Sequence, residues 1–572
     1  MNDYTDKTAA EAARIGNNGL DFATSPSAEP RILTRNRKKL FDIDKKDIIF
    51  FVLTAVSLFL FTRIGFICAF NLGFTLTYCL LCGCCVVYSY NKACTDKPFY
   101  ITVLALAVLL SVSFCFNTDY SVKFFDFVFL IYLTVLSING LSGSVKNSDF
   151  SYALLLDLFK NSFLSAFENL SLPFGSFKAS VKSGKSKNAL NILTGILIAL
   201  PVLCVIVPVL SSSDFAFDGL VSSAFKNLGV MIVCLVFTVI FTPLVFSYIF
   251  ALRKGVVRDN GKETQTPAGM VSPSLLNSFL ICICAAYILY LFSQLAYVSD
   301  ALSFLLPEEY TAAEFARRGF FEMLVISVIN LLILCVCSFL VKSRQDGKLP
   351  LLTKCLLIFL GCFSLFYIVS ALYRMLLYIS RFAYTSERIL TSVFMVMLAL
   401  IFIVVLISLF VRKLPYMKAI TLICAAALCF VSFADINSLV VHLNYNAYTQ
   451  MGIELDVEEI RYCQTGVEEL MKIYDDVEFD NEQRYEAAGG ITDFVYDNFE
   501  LSDDEYFAVE NLSVKDIQKL HSCKSIFEFN YNNNRNIRYT EKLLKEQPEK
   551  MREIFKFYYE YDFSDYKYDY SE

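Results

Sequence analysis

Histidine occurs only twice in the chain, as His442 and His521. That leaves little imidazole for binding zinc or for activating a hydroxyl or thiol nucleophile. No P-loop, G-x-S-x-G or H-E-x-x-H pattern is present. Nineteen cysteines offer sulfur, but seventeen lie in or beside apolar runs, where a free thiol behaves as a small hydrophobe. Cys82, Cys84 and Cys85 have no His or acidic neighbour in their run. Cys282/Cys284 and Cys335/Cys337 are two apart, which sets each pair on different helix faces. The stretch from Asp475 to Glu482 begins like a calcium loop. It departs from one at Asn481, where the turn glycine belongs, and at Ala487, where the bidentate glutamate belongs. No catalytic residue, cofactor or metal is expected.

What remains is a set of charged and polar groups at the ends of apolar runs. Asp214 lies in SSSDFAF, and Arg317, Arg318 and Glu322 lie in FARRGFFEM. Arg374, Tyr378, Arg381 and Arg388 are spaced to share one face if their helix continues through RMLLYISRFAYTSER. Asp435 and Asn437 close the last run, and His442, Asn444 and Asn446 follow. Charge at membrane depth is expensive and is usually paired. These groups therefore form either ion pairs that fix helix ends or a binding or relay site at the outer leaflet. At least one of Arg317, Arg318, Arg374 and Arg388 is expected to pair with Asp214, Glu322 or Asp435.

The elements that must position them are transmembrane helices. A helical span needs about 20 mostly apolar residues. Such runs occupy 47–63, 66–90, 99–116, 123–141, 189–210, 228–251, 274–298, 319–341, 352–373, 389–411 and 417–434. The fold class is therefore all-α, a polytopic bundle of about eleven spans, with the lipid bilayer as its first partner. Lys/Arg-rich loops alternate with acidic ones, which predicts a cytoplasmic N-terminus. Arg374, Arg381 and Arg388 break that rule. Residues 1–46 read as a disordered arm with a basic cluster from Arg31 to Lys46 and no cleavable signal. Pro201, Pro208 and Pro243 predict kinks within spans. Between 147 and 188, Phe150 to Leu170 reads as an amphipathic helix with Phe163 and Phe167 on its apolar face. It either lies in the inner membrane interface or docks against the bundle.

Charge divides the chain in two. From Asn437 to Glu572, 14 Lys/Arg face 30 Asp/Glu, a net of −16, while the remainder carries +10. The acidic part (437–572) reads as a soluble, mostly helical domain, and its sign argues against nucleic acid as a partner. Ile460, Val467, Leu470 and Met471 recur at helical spacing, Ser513 and Asp516 form a capping box, and Pro548 divides a later helix. An odd number of spans puts this tail outside the cytoplasm, where Cys463 and Cys523 either bridge or remain free thiols in the core.

Four segments carry a resemblance: VLSSSDFAF, ARRGFFEMLVISVINL, RMLLYISRFAYTSERIL and LNYNAY. In this order they resemble an uncharacterised bacterial membrane family, domain of unknown function 4173, which is close to 4153. The resemblance covers roughly residues 45–460. That family often has Gly-Leu-Thr where this chain has Ala383, Tyr384 and Thr385, and an Arg at Asn444. It implies an integral protein of the bacterial cytoplasmic membrane and supplies no activity. The expected function is a non-enzymatic envelope sensor or assembly scaffold, with other membrane or envelope proteins as partners. A transporter or lipid-handling protein using the outer-face cluster is the alternative. A membrane enzyme acting on envelope precursors is the third reading.

Overall fold

The computed structural model describes residues 44–66, 70–91, 94, 96–145, 158, 160–171, 206, 228–255, 272–298, 312–340, 350–411, 414–434, 436–451, 460–461, 466–476, 479–500, 512–522 and 526–560. The predicted span 189–210, with Pro201 and Pro208, lies outside them except for residue 206, and so do Cys463 and Cys523. The other ten predicted spans fall on described helices. These are α1 (Lys45–Leu60, continued by a wider turn, Phe61–Phe66), α2 (Leu72–Ser89), α3 (Lys97–Ser113) and α4 (Tyr120–Leu141). After a short helix, α5 (Ser165–Glu168), come α6 (Leu228–Arg253), α7 (Pro273–Val298), α8 (Ala312–Leu340), α9 (Leu351–Phe382), α10 (Ser386–Phe410) and α11 (Tyr416–Phe433). Nine of the described helices are long and apolar enough to cross a membrane, and α3 is the shorter apolar one. Pro243 sits inside α6 without ending it.

Helix starts follow the capping chemistry. Asp44 opens α1 and its backbone N–H donates to Asp47 Oδ2 (2.9 Å). Asp119 opens α4 by accepting from the Ser121 and Val122 N–H groups. Each cap satisfies donors that the first helical turn leaves bare.

The spans pack in two groups. Helices α1 to α4 gather with α6, and α7 to α10 gather around α9. Helix α11 lies between the groups, touching α10 on one side and α3 and α4 on the other. The second core is built from Leu280, Met323, Leu360, Tyr367, Met395 and Phe402. The predicted amphipathic segment docks on the first group. Ser162 donates to the Tyr248 hydroxyl (3.1 Å) and Ser247 donates to the Ala166 carbonyl (3.3 Å). Phe163 and Phe167 stay exposed and meet each other edge to face. The segment thus uses a small, polar stripe for docking and keeps its aromatic stripe for the surroundings.

Helix α12 (Ile436–Met451) leads from α11 to the tail. The tail comprises α13 (Val467–Asp475), α14 (Asn481–Asn498), α15 (Val514–Ile517), α16 (Tyr531–Glu546) and α17 (Pro548–Glu560). A two-residue antiparallel ladder pairs β1 (Phe499–Glu500) with β2 (His521–Ser522), a feature that helical periodicity did not predict. Ile473, Ile491, Phe494, Ile517, Ile554 and Phe555 are buried together, and their cluster continues into Val122 of α4 and Val431 of α11. Ser513 caps α15 with Asp516 as predicted, and Pro548 occupies the first turn of α17.

Candidate functional site

The helix expected to carry Arg374, Tyr378 and Arg388 on one face does not continue. It stops at Ala383, which is buried and holds φ +61°, ψ −170°, a backbone region that favours glycine. Thr385 then caps α10 by accepting from the Arg388 N–H (3.3 Å). From the new helix Arg388 reaches back. Its guanidinium donates to the carbonyls of Phe382 (2.6 Å) and Ala383 (2.8 Å) and to the Tyr378 hydroxyl (3.0 Å), and lies 4.3 Å from the Tyr378 ring centroid. The end of α9 presents bare carbonyls and the negative pole of its macrodipole. Arg388 satisfies both, which explains a cation where the loop-charge rule disfavours one.

Asn444 of α12 grips the same turn. It accepts from the Tyr384 N–H (2.8 Å) and donates to the Tyr384 carbonyl (2.7 Å) with its side chain buried. Ser386 donates to Asn437 (3.0 Å). Asn446 lies within hydrogen-bond distance of His442, one turn earlier on α12 (3.1 Å). Two of the resembling segments are therefore in direct contact.

Within α8 and α9, Tyr367 lies near both Glu322 and Arg374. The Tyr367 hydroxyl donates to Glu322 Oε2 (3.5 Å), and the Arg374 guanidinium lies 3.2 Å from where a Cβ on Gly319 would stand. Neutral polar pairs continue along α8 and α9 and join them to α7. Tyr287 donates to Asn330 (2.8 Å), Asn330 to Ser364 (2.9 Å) and Thr353 to Asn277 (2.6 Å). Arg317 and Arg318 lie on α8, but their side chains, with Asp214 and Asp435, are outside the described ones.

Several polar groups were missed by sequence reading. At one end of the bundle Asp47 is fully buried against Arg253 (3.3 Å), Lys254 (3.2 Å) and the Tyr88 hydroxyl (2.7 Å). Lys418 pairs with Asp96 (3.4 Å) at that same end. Inside α4, Asp126 is buried and accepts from Ser432 (2.5 Å) and Ser113 (3.4 Å). Lys123, one turn away, donates to Asn71 (3.0 Å). An acid and a lysine within an apolar run were the available signal.

The tail is attached to the end opposite Asp47. Asn530 and Asn532 donate to the carbonyls of Asn117 (2.9 Å) and Phe116 (2.8 Å), and the Tyr531 N–H donates to Cys115 O (2.6 Å). In return Asn71 donates to Glu528 O (3.1 Å) and the Leu72 N–H to Phe529 O (3.3 Å). Within the tail, Arg461 lies across Gly489 and donates to Glu486 (3.0 Å), Asp493 (3.1 Å) and Tyr558 (2.6 Å). Partial burial lowers its pKa, but the Glu486 hydrogen bond and the charges of Asp493 and Glu486 outweigh it and raise the guanidinium overall.

Apolar helices of spanning length, joined at one end by a folded tail, define a polytopic α-helical integral membrane protein. Residues 104–468, more than half of the chain, match the family model "Domain of unknown function (DUF4153)", and the chain belongs to that family. The resembling segments pointed to its close relative 4173, and the match begins later than the predicted 45. Comparison with curated proteins and with solved structures gave no match.

Proposed function

We propose that the chain is a non-enzymatic sensor or assembly scaffold of a bacterial cytoplasmic membrane, with its N-terminus in the cytoplasm and its acidic tail outside. One observation carries the reading: the tail is hydrogen-bonded to the end of the bundle opposite the one where Arg253, Lys254 and Lys418 cluster. Cations concentrate on the cytoplasmic side, so the tail belongs on the other. The bonds to the backbone at Cys115, Phe116 and Asn117 make the tail's position depend on how α3 and α4 sit. A ligand or protein that favours one arrangement of the tail then shifts those spans, which is the thermodynamic content of a sensor. The described outer-face groups Arg388 and Asn444 are engaged by backbone carbonyls and amides of the fold, which supports a structural part for them over a transport path.

Labelling of intact cells with an impermeant thiol reagent tests the sidedness. Against the parent's background, Lys545→Cys should be labelled and Lys254→Cys should not. The reverse pattern would sink the reading. A Phe116→Cys/Asn532→Cys pair should cross-link under mild oxidation, and a pair that never does would remove the coupling.

A further inference from the structure

Among the described tail residues from 460 onward, four large hydrophobic side chains are exposed: Tyr496, Ile526, Tyr531 and Tyr559. Three are tyrosines, whose hydroxyls tolerate water. Ile526 is the aliphatic one, and at 81% it is the most exposed of the four. An acidic domain whose other described aliphatics are buried or half-buried leaves this one open at a particular place. Ile526 begins a single 3-10 turn, Ile526–Glu528. The next residues of that strap bond to Asn71 and to Leu72, the first residue of membrane span α2.

Those bonds fix a depth. Ile526 is two residues from Glu528, a reach of at most about 7 Å. The headgroup layer on one side of a bilayer is roughly 5–8 Å thick. The strap therefore runs at the membrane surface. At the same level the first turns of α4 expose Tyr120, Phe124 and Phe125, the aromatic side chains expected at a lipid boundary. Phe116, just before α4, and Tyr531 of the tail meet at a 40° tilt, with ring centroids 5.5 Å apart.

We propose that Ile526 is a membrane wedge: the 526–528 turn presses this side chain into the outer edge of the lipid leaflet around α2 and α4. The tail is then held by two attachments, one to the backbone of the bundle and one to lipid. The occupant of the apolar surface is lipid rather than a second protein, because the turn is continuous with residues bonded to the start of a span. The acidic charge of the tail makes an apolar contact the fitting kind, since its carboxylates gain nothing from anionic headgroups. The proposal rests on the docked tail described above, but not on which side of the membrane the tail occupies.

The chain contains no tryptophan, so a single substitution supplies an unambiguous reporter. Ile526→Trp, reconstituted as the full chain in phosphatidylcholine vesicles, should show blue-shifted emission. Brominated phosphatidylcholine should quench it about as strongly as it quenches Phe124→Trp on the exposed face of α4. Tyr559→Trp on the last tail helix should instead be quenched by acrylamide in water and spared by the brominated lipid. Water-like emission from Ile526→Trp overturns the proposal. So does a Trp shielded from acrylamide yet untouched by brominated lipid, which would mean a protein cover. The Phe116→Cys/Asn532→Cys cross-link, measured in the same Ile526→Trp background, separates the cases. If it forms while the Trp reads as aqueous, the wedge fails and the docked tail stands.

Discussion

The two ends of the bundle are fastened by different chemistry. At one end the fastener is charge: fully buried Asp47 faces Arg253 and Lys254, and Lys418 meets Asp96. At the other it is the amide: Asn71, Asn444, Asn530 and Asn532 reach backbone groups, and Arg388 too spends its donors on carbonyls and a tyrosine hydroxyl. The difference follows from what each end must join. The charged end holds helices that meet side by side, where long side chains bridge the gap. The amide end joins a separate domain and a broken helix to spans, where exposed backbone groups must be paired. A buried ion pair is costly to break because the survivor is left charged. A set of neutral bonds loses less per member but is sensitive to geometry at each one.

The largest expected effect is at the charged end. Asp47→Ala removes the buried carboxylate that Arg253 and Lys254 share, leaving Lys254 the longer contact with Asp44 (3.8 Å), and should destabilise by about 3 kcal/mol, seen as a lower unfolding temperature in detergent and less folded protein in the membrane. Adding Lys254→Ala should recover part of the loss. No recovery would mean that the end is not held by charge. At the amide end, Asn444→Ala leaves the Tyr384 N–H and carbonyl without their partner and should cost about 1–3 kcal/mol. A loss as large as that of Asp47→Ala would erase the contrast between the ends.

Ala383 sharpens the same comparison from the opposite direction. Its positive φ is strained for any residue with a Cβ, and a conformation of this kind costs of order 1–3 kcal/mol. Ala383→Gly should therefore stabilise the protein by about 1 kcal/mol, with a rise in unfolding temperature as the readout. A fall would show that Gly at this position loses more in chain entropy than the turn recovers.

The smallest effect is a pH dependence in the tail. The Ser513 hydroxyl hydrogen bond, helped by the Ser513 N–H and Lys519, depresses the Asp516 carboxyl below the ordinary Asp range. A depressed folded value contributes stability that is present above the unfolded value and is lost as pH falls through the folded one. Amide exchange at Ile517 should quicken only in that acid window. Quickening at neutral pH would mean that the cap is not what holds this turn.

The helices were legible because a long apolar run permits little else. The capping box at Ser513 and the buried stripe at Val467, Leu470 and Met471 were legible because both are local. The end of α9 was not, since nothing in RFAYTSER announces that Ala383 accepts a glycine conformation. Asp126 and Lys123 could have been read as buried polar groups, but their partners Ser432 and Asn71 lie on other helices. Arg461 and Gly489 gave no signal apart, because the need for a bare Cα at 489 exists only once the Tyr558 ring and the Arg461 guanidinium lie over it. Tail docking was the least accessible, because the Asn530 to Asn117 bond joins positions 413 apart.

That separation sets a timetable. Chains are made from the N-terminus at about 5–20 residues per second. Asn71 waits for Glu528, 457 residues later, so the start of α2 stands in the membrane for roughly 20–90 s before its partner exists. During that interval the Leu72 N–H and the carbonyls of Cys115, Phe116 and Asn117 must be served by water or by a holding factor. The strap is thus the closing stitch of biogenesis. A nascent chain halted before residue 528 presents an open seam that quality control can distinguish from the finished protein.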